Sequence, residues 1–134
     1  MHKMINEEIT GAIINVSFEV SNELGAGFLE SVYEKALIVA LAQRGLNISA
    51  QVPLKVRFRN VIVGEFFADL IVEEKVLVEL KAVSRLLPEH KAQVINYLNA
   101  TGIETGLLLN FGNPRVEYYR LHKREDPDHP VNPV

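Results

Sequence analysis

Ile9, Ile13, Val16, Val20 and Leu24 recur at three- and four-residue intervals, the spacing that lines one face of a helix. Asn6 is placed to cap this helix and Glu7 and Glu8 suit its first turn, so the pattern predicts a helix over about residues 7–23. Gly25 and Gly27 interrupt it as a C-cap and a sharp turn. A second helix is predicted from Phe28 to Arg44, ended by Gly45, with Leu29, Val32, Tyr33, Ala36, Leu37, Ala40 and Leu41 on one apolar arc. Glu30 falls on that arc, between Leu37 and Leu41 on the wheel, which is an unusual place for a carboxylate.

From residue 48 the period becomes two. Val52, Leu54, Val56 and Phe58 share one face of a predicted strand, and Lys55, Arg57 and Arg59 share the other. Arg59-Asn60 turns the chain into a second strand over 61–72, with Gly64 as a candidate bulge, and Glu73-Glu74-Lys75 connects tightly to a third over 76–83. Pro88 opens a further helix at its favoured first position and Gly102 ends it. Strands over 105–111 and 115–121 follow, the second after a turn at Gly112-Asn113-Pro114. The order is α-α-β-β-β-α-β-β, read as one domain over 1–124. Residues 125–134, rich in proline and poor in apolar side chains, read as a disordered tail.

Composition narrows the chemistry. With 134 residues, 48% of them apolar and 23% charged, the chain suits one domain with a substantial core. The absence of cysteine excludes disulfide scaffolds, thiolate metal sites and cysteine nucleophiles. No stretch is apolar for long enough to cross a bilayer and the first ten residues lack a signal-peptide apolar region, so a cytoplasmic protein is expected. A net charge of −3 argues against gripping nucleic acid by bulk electrostatics, though not against a local basic rim.

The second and third strands, on either side of Glu73–Lys75, hold the candidate chemistry. Asp is depleted in strand interiors, yet Asp69 lies inside FADLIV. Glu79 and Lys81 follow in VELKAV, two residues apart and so on one face. If residues 73–75 form the connection, Val72 pairs with Val76, Asp69 faces Glu79 and Lys81 faces Phe67. Two carboxylates about 5 Å apart repel by roughly 3 kcal/mol at an effective dielectric near 20, and a third such as Glu30 brings the sum to about 10 kcal/mol. Lys81 offsets part of this, and a hard divalent cation such as Mg²⁺ or Mn²⁺ offsets it best. Zinc is not expected, because His2, His90, His122 and His129 show no ligand spacing. The bland alternative is an ordinary strand with a solvated Glu/Lys face. Gln93 and Tyr97 sit one turn apart on one helix face, as a functional pair or as a polar edge. Lys55, Arg57 and Arg59, and a second group of Arg115, Arg120, Lys123 and Arg124, read first as solvated faces.

Asp69…Glu79-Leu80-Lys81 resembles the D…(D/E)-x-K signature of the PD-(D/E)XK nuclease superfamily, and GFLESVY (Gly27 to Tyr33) resembles the pattern of its GxxExxY family. The likeness runs from about Leu24 to Leu121. Ala68 stands where the superfamily name has proline, which is not a ligand. The resemblance implies an α/β, restriction-endonuclease-like αβββαβ core, a mixed central sheet flanked by helices, with an extra N-terminal helix. It makes Glu30, Asp69, Glu79 and the Leu80 carbonyl metal ligands, Lys81 the catalytic lysine, and Gln93 and Tyr97 a Q-x-x-x-Y motif found in several nuclease branches. Tyr33 is read as a packing residue. The implied reaction is Mg²⁺- or Mn²⁺-dependent phosphodiester hydrolysis in nucleic acid, DNA before RNA, with Lys55, Arg57 and Arg59 tracking the backbone and a homodimer covering both strands. Two other readings stand beside it: a nuclease-fold module that binds nucleic acid or a protein without cutting, and a hydrolase of small phosphoesters.

Overall fold

All eight elements begin within two residues of where the sequence pattern puts them. The computed structural model describes residues 6–123; the expected tail, Arg124, His2 and His129 lie outside the described residues. Helices α1 (Glu7–Leu24) and α2 (Glu30–Gln43) precede strands β1 (Ile48–Phe58), β2 (Val61–Val72) and β3 (Val76–Lys81). Helix α3 (Pro88–Thr101) then leads to β4 (Thr105–Asn110) and β5 (Glu117–His122). The strands form one sheet in the order β1-β2-β3-β4-β5. It is mixed: β3 and β4 run parallel, joined by the α3 crossover, and the other pairs are antiparallel. The chain has the expected αβββαβ core with a helix added before it.

Burial explains the layering. Strands β3 and β4 lie at the centre and are almost wholly buried, so they read as continuous apolar runs. On one face Leu70, Val78, Leu80 and Leu107 pack with Ile13 and Val16 of α1 and Leu37 and Leu41 of α2. On the other, Leu54, Ala68, Leu77 and Leu108 pack with Val94 and Leu98 of α3. Gly106 permits that second contact, since a Cβ there would stand 2.8 Å from Val94 Cγ1.

The hairpin turns form as expected. Arg59 and Asn60 both take positive φ, as do Glu73 and Glu74, and Val72 pairs with Val76. Three local expectations are corrected. Asn6 stands at the N-cap of α1 without capping it; its amide donates instead to the Lys75 carbonyl and Thr105 Oγ1. Helix α2 starts at Glu30, not Phe28, because Gly25 and Gly27 (φ 76° and 111°) and an extended Leu29 hold Phe28 in the turn. β3 ends at Lys81, not residue 83, because the buried Asn110 side chain takes over there. Its Oδ1 accepts the Val83 and Gly112 N–H groups and its Nδ2 donates to the Val83 carbonyl and Glu117.

The strands also depart from simple alternation. Ala68 and Leu70 are two residues apart and should share a face, yet Leu70 belongs to the α1–α2 core and Ala68 to the α3 core. The switch falls at Asp69. Across from it Gln51 has φ 49°, and the β1–β2 ladder skips this pair between Ala50↔Leu70 and Val52↔Ala68. A second shift lies between Val56 and Arg57, where Val63 is left unpaired next to the expected bulge at Gly64.

Asn110→Leu removes the clamp that fixes the chain beyond Lys81 and leaves Val83 N–H, Val83 C=O and Gly112 N–H without it. Urea unfolding should show a loss of at least about 2 kcal/mol, because each buried unsatisfied group costs about 1–3 kcal/mol.

Candidate active site

The two strand acids sit where the sheet changes face. The β2–β3 ladder closes at Leu70↔Val78, and beyond it carboxylates take over the backbone groups. Asp69 N–H donates to Glu79 Oε2 at 2.8 Å, and Leu80 N–H donates to Asp69 Oδ2 at 2.8 Å. Each acid thus satisfies the other's strand, which is why two like charges stay adjacent in the interior. Leu80 buries its side chain in the α1–α2 core, so only its backbone faces the acids.

Glu79 is 4% exposed. Burial, and then the neighbouring Asp69 charge, push its carboxyl up to about 8; the Asp69 N–H bond and Lys81 pull the other way, and Glu30 adds to the rise. Lys81 lies two residues on, within reach of the Glu79 field, and its ammonium has no hydrogen-bond or ion-pair partner among the described residues. It does not face Phe67 as expected. The β2–β3 ladder ends at Leu70↔Val78, short of that pair.

Glu30 is the first residue of α2. It continues the buried stripe of Tyr33, Leu37 and Leu41 to its exposed end, so it lies on the rim rather than inside the apolar arc. The stripe is aimed by Tyr33, which stacks on Phe111 at 4.8 Å, donates its hydroxyl to the Gly25 carbonyl and accepts the Phe28 N–H. The packing role expected of Tyr33 is what is seen. Glu30 acts on Glu34 and Glu79 through its charge, but the three acids are not drawn together. Among the described residues no three acids or histidines stand closely enough to hold a metal ion. Glu30 stays at the rim because the Gly25–Gly27 turn makes it the first residue of α2.

Two residues escaped sequence reasoning. Gln51 Nε2 donates to Glu34 at 3.0 Å and to Asp69 Oδ1 at 3.3 Å, bridging α2 and β2. Burial raises the Glu34 carboxyl, the Gln51 bond lowers it, and the charges of Asp69 and Glu30 raise it further. Glu34 was legible as an acid one turn after Glu30. Gln51 carried no such signal, because its place depends on the register of β1.

On the α3 face Gln93 Nε2 donates to the Tyr97 hydroxyl at 3.2 Å, and Gln93 Oε1 is buried without a partner. Burial and the charges of Glu79 and Asp69 raise the Tyr97 hydroxyl, so the Gln–Tyr pair borders the acids. Lys55 and Arg57 line a cleft between the β1–β2 hairpin and α3, together with Phe66, Gln93 and Tyr97. Of the three residues expected to share a face, Lys55 and Arg57 stand on β1 and both line this cleft, while Arg59 lies beyond the end of the strand at Phe58. Arg59 lies in the turn over the Phe58 ring. Arg120, of the second basic group, is on the opposite edge strand, bonded to Thr10.

Residues 7–121 match the family description "PD-(D/E)XK nuclease superfamily". The chain belongs to that superfamily. No curated protein matches it. Two solved structures share the fold of this PD-(D/E)XK domain. The crystal structure of SSO0001 aligns with TM-score 0.54 and 21% identity, covering 72% of this chain and 50% of that one. An alkaline exonuclease (LHK-Exo) from Laribacter hongkongensis aligns with TM-score 0.54 and 11% identity, covering 92% of this chain and 73% of that one. The PD-(D/E)XK domain thus spans half the length of the first. No helix among its described residues is long and apolar enough to cross a membrane.

The raised Glu79 carboxyl fixes the sign of a pH dependence. Between its unfolded value of 4.5 and about 8 the folded state holds the extra proton, so stability falls as pH rises through this window and levels off above it. Thermal melts in EDTA from pH 4.5 to 9 should show this fall in the wild type, and Glu79→Gln should flatten it and melt higher at pH 9.

Proposed function

We propose that this protein is a cytoplasmic, divalent-metal-dependent nuclease that hydrolyses phosphodiester bonds in DNA. The observation that carries the reading is the reciprocal bonding of Asp69 and Glu79 beside Lys81, in a chain of the PD-(D/E)XK superfamily. The likeness of Gly27, Glu30 and Tyr33 to the GxxExxY pattern belongs to the same reading. One neighbour of the same fold is by name an alkaline exonuclease, which supports nucleolysis as the reaction class.

The donor chemistry fits Mg²⁺ or Mn²⁺. Glu30, Glu34, Asp69 and Glu79 offer hard oxygens, and the charge that raises the Glu79 carboxyl is the charge a cation would neutralise. Asp69, Glu79 and the Leu80 carbonyl would hold the ion, with Glu30 completing the set by turning in from the rim. When bound, such a cation lowers the pKa of an attacking water and stabilises charge on the phosphate. Lys81, two residues from Glu79 on the same strand, would orient that water and neutralise the scissile phosphate. Gln51 holds Asp69 and Glu34 in place. Gln93 and Tyr97 position the strand, and Lys55, Arg57 and Arg59 contact its phosphates. A homodimer would place one such site on each strand of a duplex.

Purified protein with Mg²⁺ or Mn²⁺ should cleave DNA, and Asp69→Ala and Lys81→Ala should each lower the rate by at least about 100-fold, the loss typical of removing one group that stabilises transition-state charge. RNA and mononucleotide substrates run alongside separate nuclease from small-phosphoester hydrolase. Cleavage that persists in both variants would reject the site. Tight, metal-independent binding with no cleavage of any polymer would assign the chain to the non-cutting modules.

A further inference from the structure

The cleft between the β1–β2 hairpin and α3 has an aromatic floor that phosphate chemistry does not require. It encloses about 870 Å³, within the roughly 300–1,000 Å³ of small-ligand sites. Phe66 lines it and is 44% exposed. The ring is held rather than loose: it lies over Gly64, where an added Cβ would stand 3.0 Å from Phe66 Cε2, and it meets the Tyr97 ring at 5.7 Å with a 40° tilt. A large side chain fixed on one side and open on the other makes a preorganised stacking surface. Its surroundings carry the complementary charge. Lys55 and Arg57 face a single acid, Glu89, so the lining is net positive in a chain whose net charge is −3. Gln93, which also lines the cleft, holds its Oε1 buried without a partner. Tyr97 joins this cleft to the carboxylates, whose charges it feels.

We propose that this cleft binds an unpaired stretch of the substrate strand, with a nucleobase stacked on Phe66 and the flanking phosphates on Lys55 and Arg57. A duplex keeps its bases stacked on one another and cannot offer a π-face to this ring, whereas every unpaired base can. The inference builds on the nuclease reading by naming the form of strand delivered to the acids, and its test reads binding instead of cleavage.

Fluorescence anisotropy in EDTA, with labelled single-stranded DNA, single-stranded RNA and duplex DNA, compares the wild type with Phe66→Leu, Phe66→Tyr and Lys55→Gln/Arg57→Gln, each first matched to the wild type by circular dichroism. Phe66→Leu should weaken binding of one or both single strands by roughly 5- to 150-fold, the range for losing one base–aromatic stack, while Phe66→Tyr retains it and duplex affinity is unchanged. Lys55→Gln/Arg57→Gln should reduce the slope of log K against log salt by about 1.4, the value for two phosphate contacts on a single strand. The larger Phe66 effect, on DNA or on RNA, identifies the strand. Equal single-strand affinity in wild type and Phe66→Leu, an equal loss for duplex, or no single-strand binding by the wild type would overturn the proposal. Phe66-dependent binding without any cleavage would keep the cleft and reject the nuclease; Asp69-dependent cleavage without a Phe66 effect would do the reverse.

Discussion

Two carboxylates held side by side at the centre of a sheet impose the constraint around which this molecule is organised. Asp69 and Glu79 repel each other, and neither can be solvated fully where the strands put it. The fold answers with backbone N–H groups: Asp69 takes that of Leu80 and Glu79 takes that of Asp69. Those groups are free because the β2–β3 ladder has already ended. The break in the ladder, the positive φ of Gln51 and the switch of faces between Ala68 and Leu70 are therefore parts of one local arrangement. A regular hairpin would have no unpaired N–H groups at this place to offer the acids.

The surrounding packing keeps that irregularity in position. Below the acids, the α1–α2 core fixes β3 through Val78 and Leu80, and the stacked pair Tyr33 and Phe111 aims the first turn of α2 at the same end of the sheet. Beyond Lys81, Asn110 replaces strand pairing with side-chain hydrogen bonds, so the chain leaves the sheet without stranding its polar groups. On the other face α3 brings Gln93 and Tyr97 to the border of the acids. The site thus draws on three layers, and its polar members stand on rigid elements rather than on loops. A backbone residue in a sparsely populated conformation, such as Gln51, persists where neighbours over-determine it, and functional sites are where such residues gather.

Much of this was legible along the chain because it depends on neighbours a few residues apart. Helical spacing marked α1 and α2, period two marked β1 and β2, and the short Glu73–Lys75 connection was enough to set Val72 against Val76 and hence Asp69 beside Glu79. Glu30 stood out as an acid on an apolar stripe, although its exposure at the rim required knowing that Gly25 and Gly27 delay the start of α2. Glu34 was available by the same spacing argument one turn further on.

The sequence by itself determined the elements, their order and the proximity of the two central acids, since hydrophobic periodicity and turn chemistry are local. Tertiary structure alone decided that Gln51 bridges Glu34 and Asp69, that Lys81 stands free of Phe67, and that Lys55 and Arg57 open onto a cleft with Phe66. Each of these turns on an irregularity in the ladders that β2 makes with its two neighbours. Such a shift moves every later side chain to the other face while leaving the hydrophobic pattern of each strand unchanged.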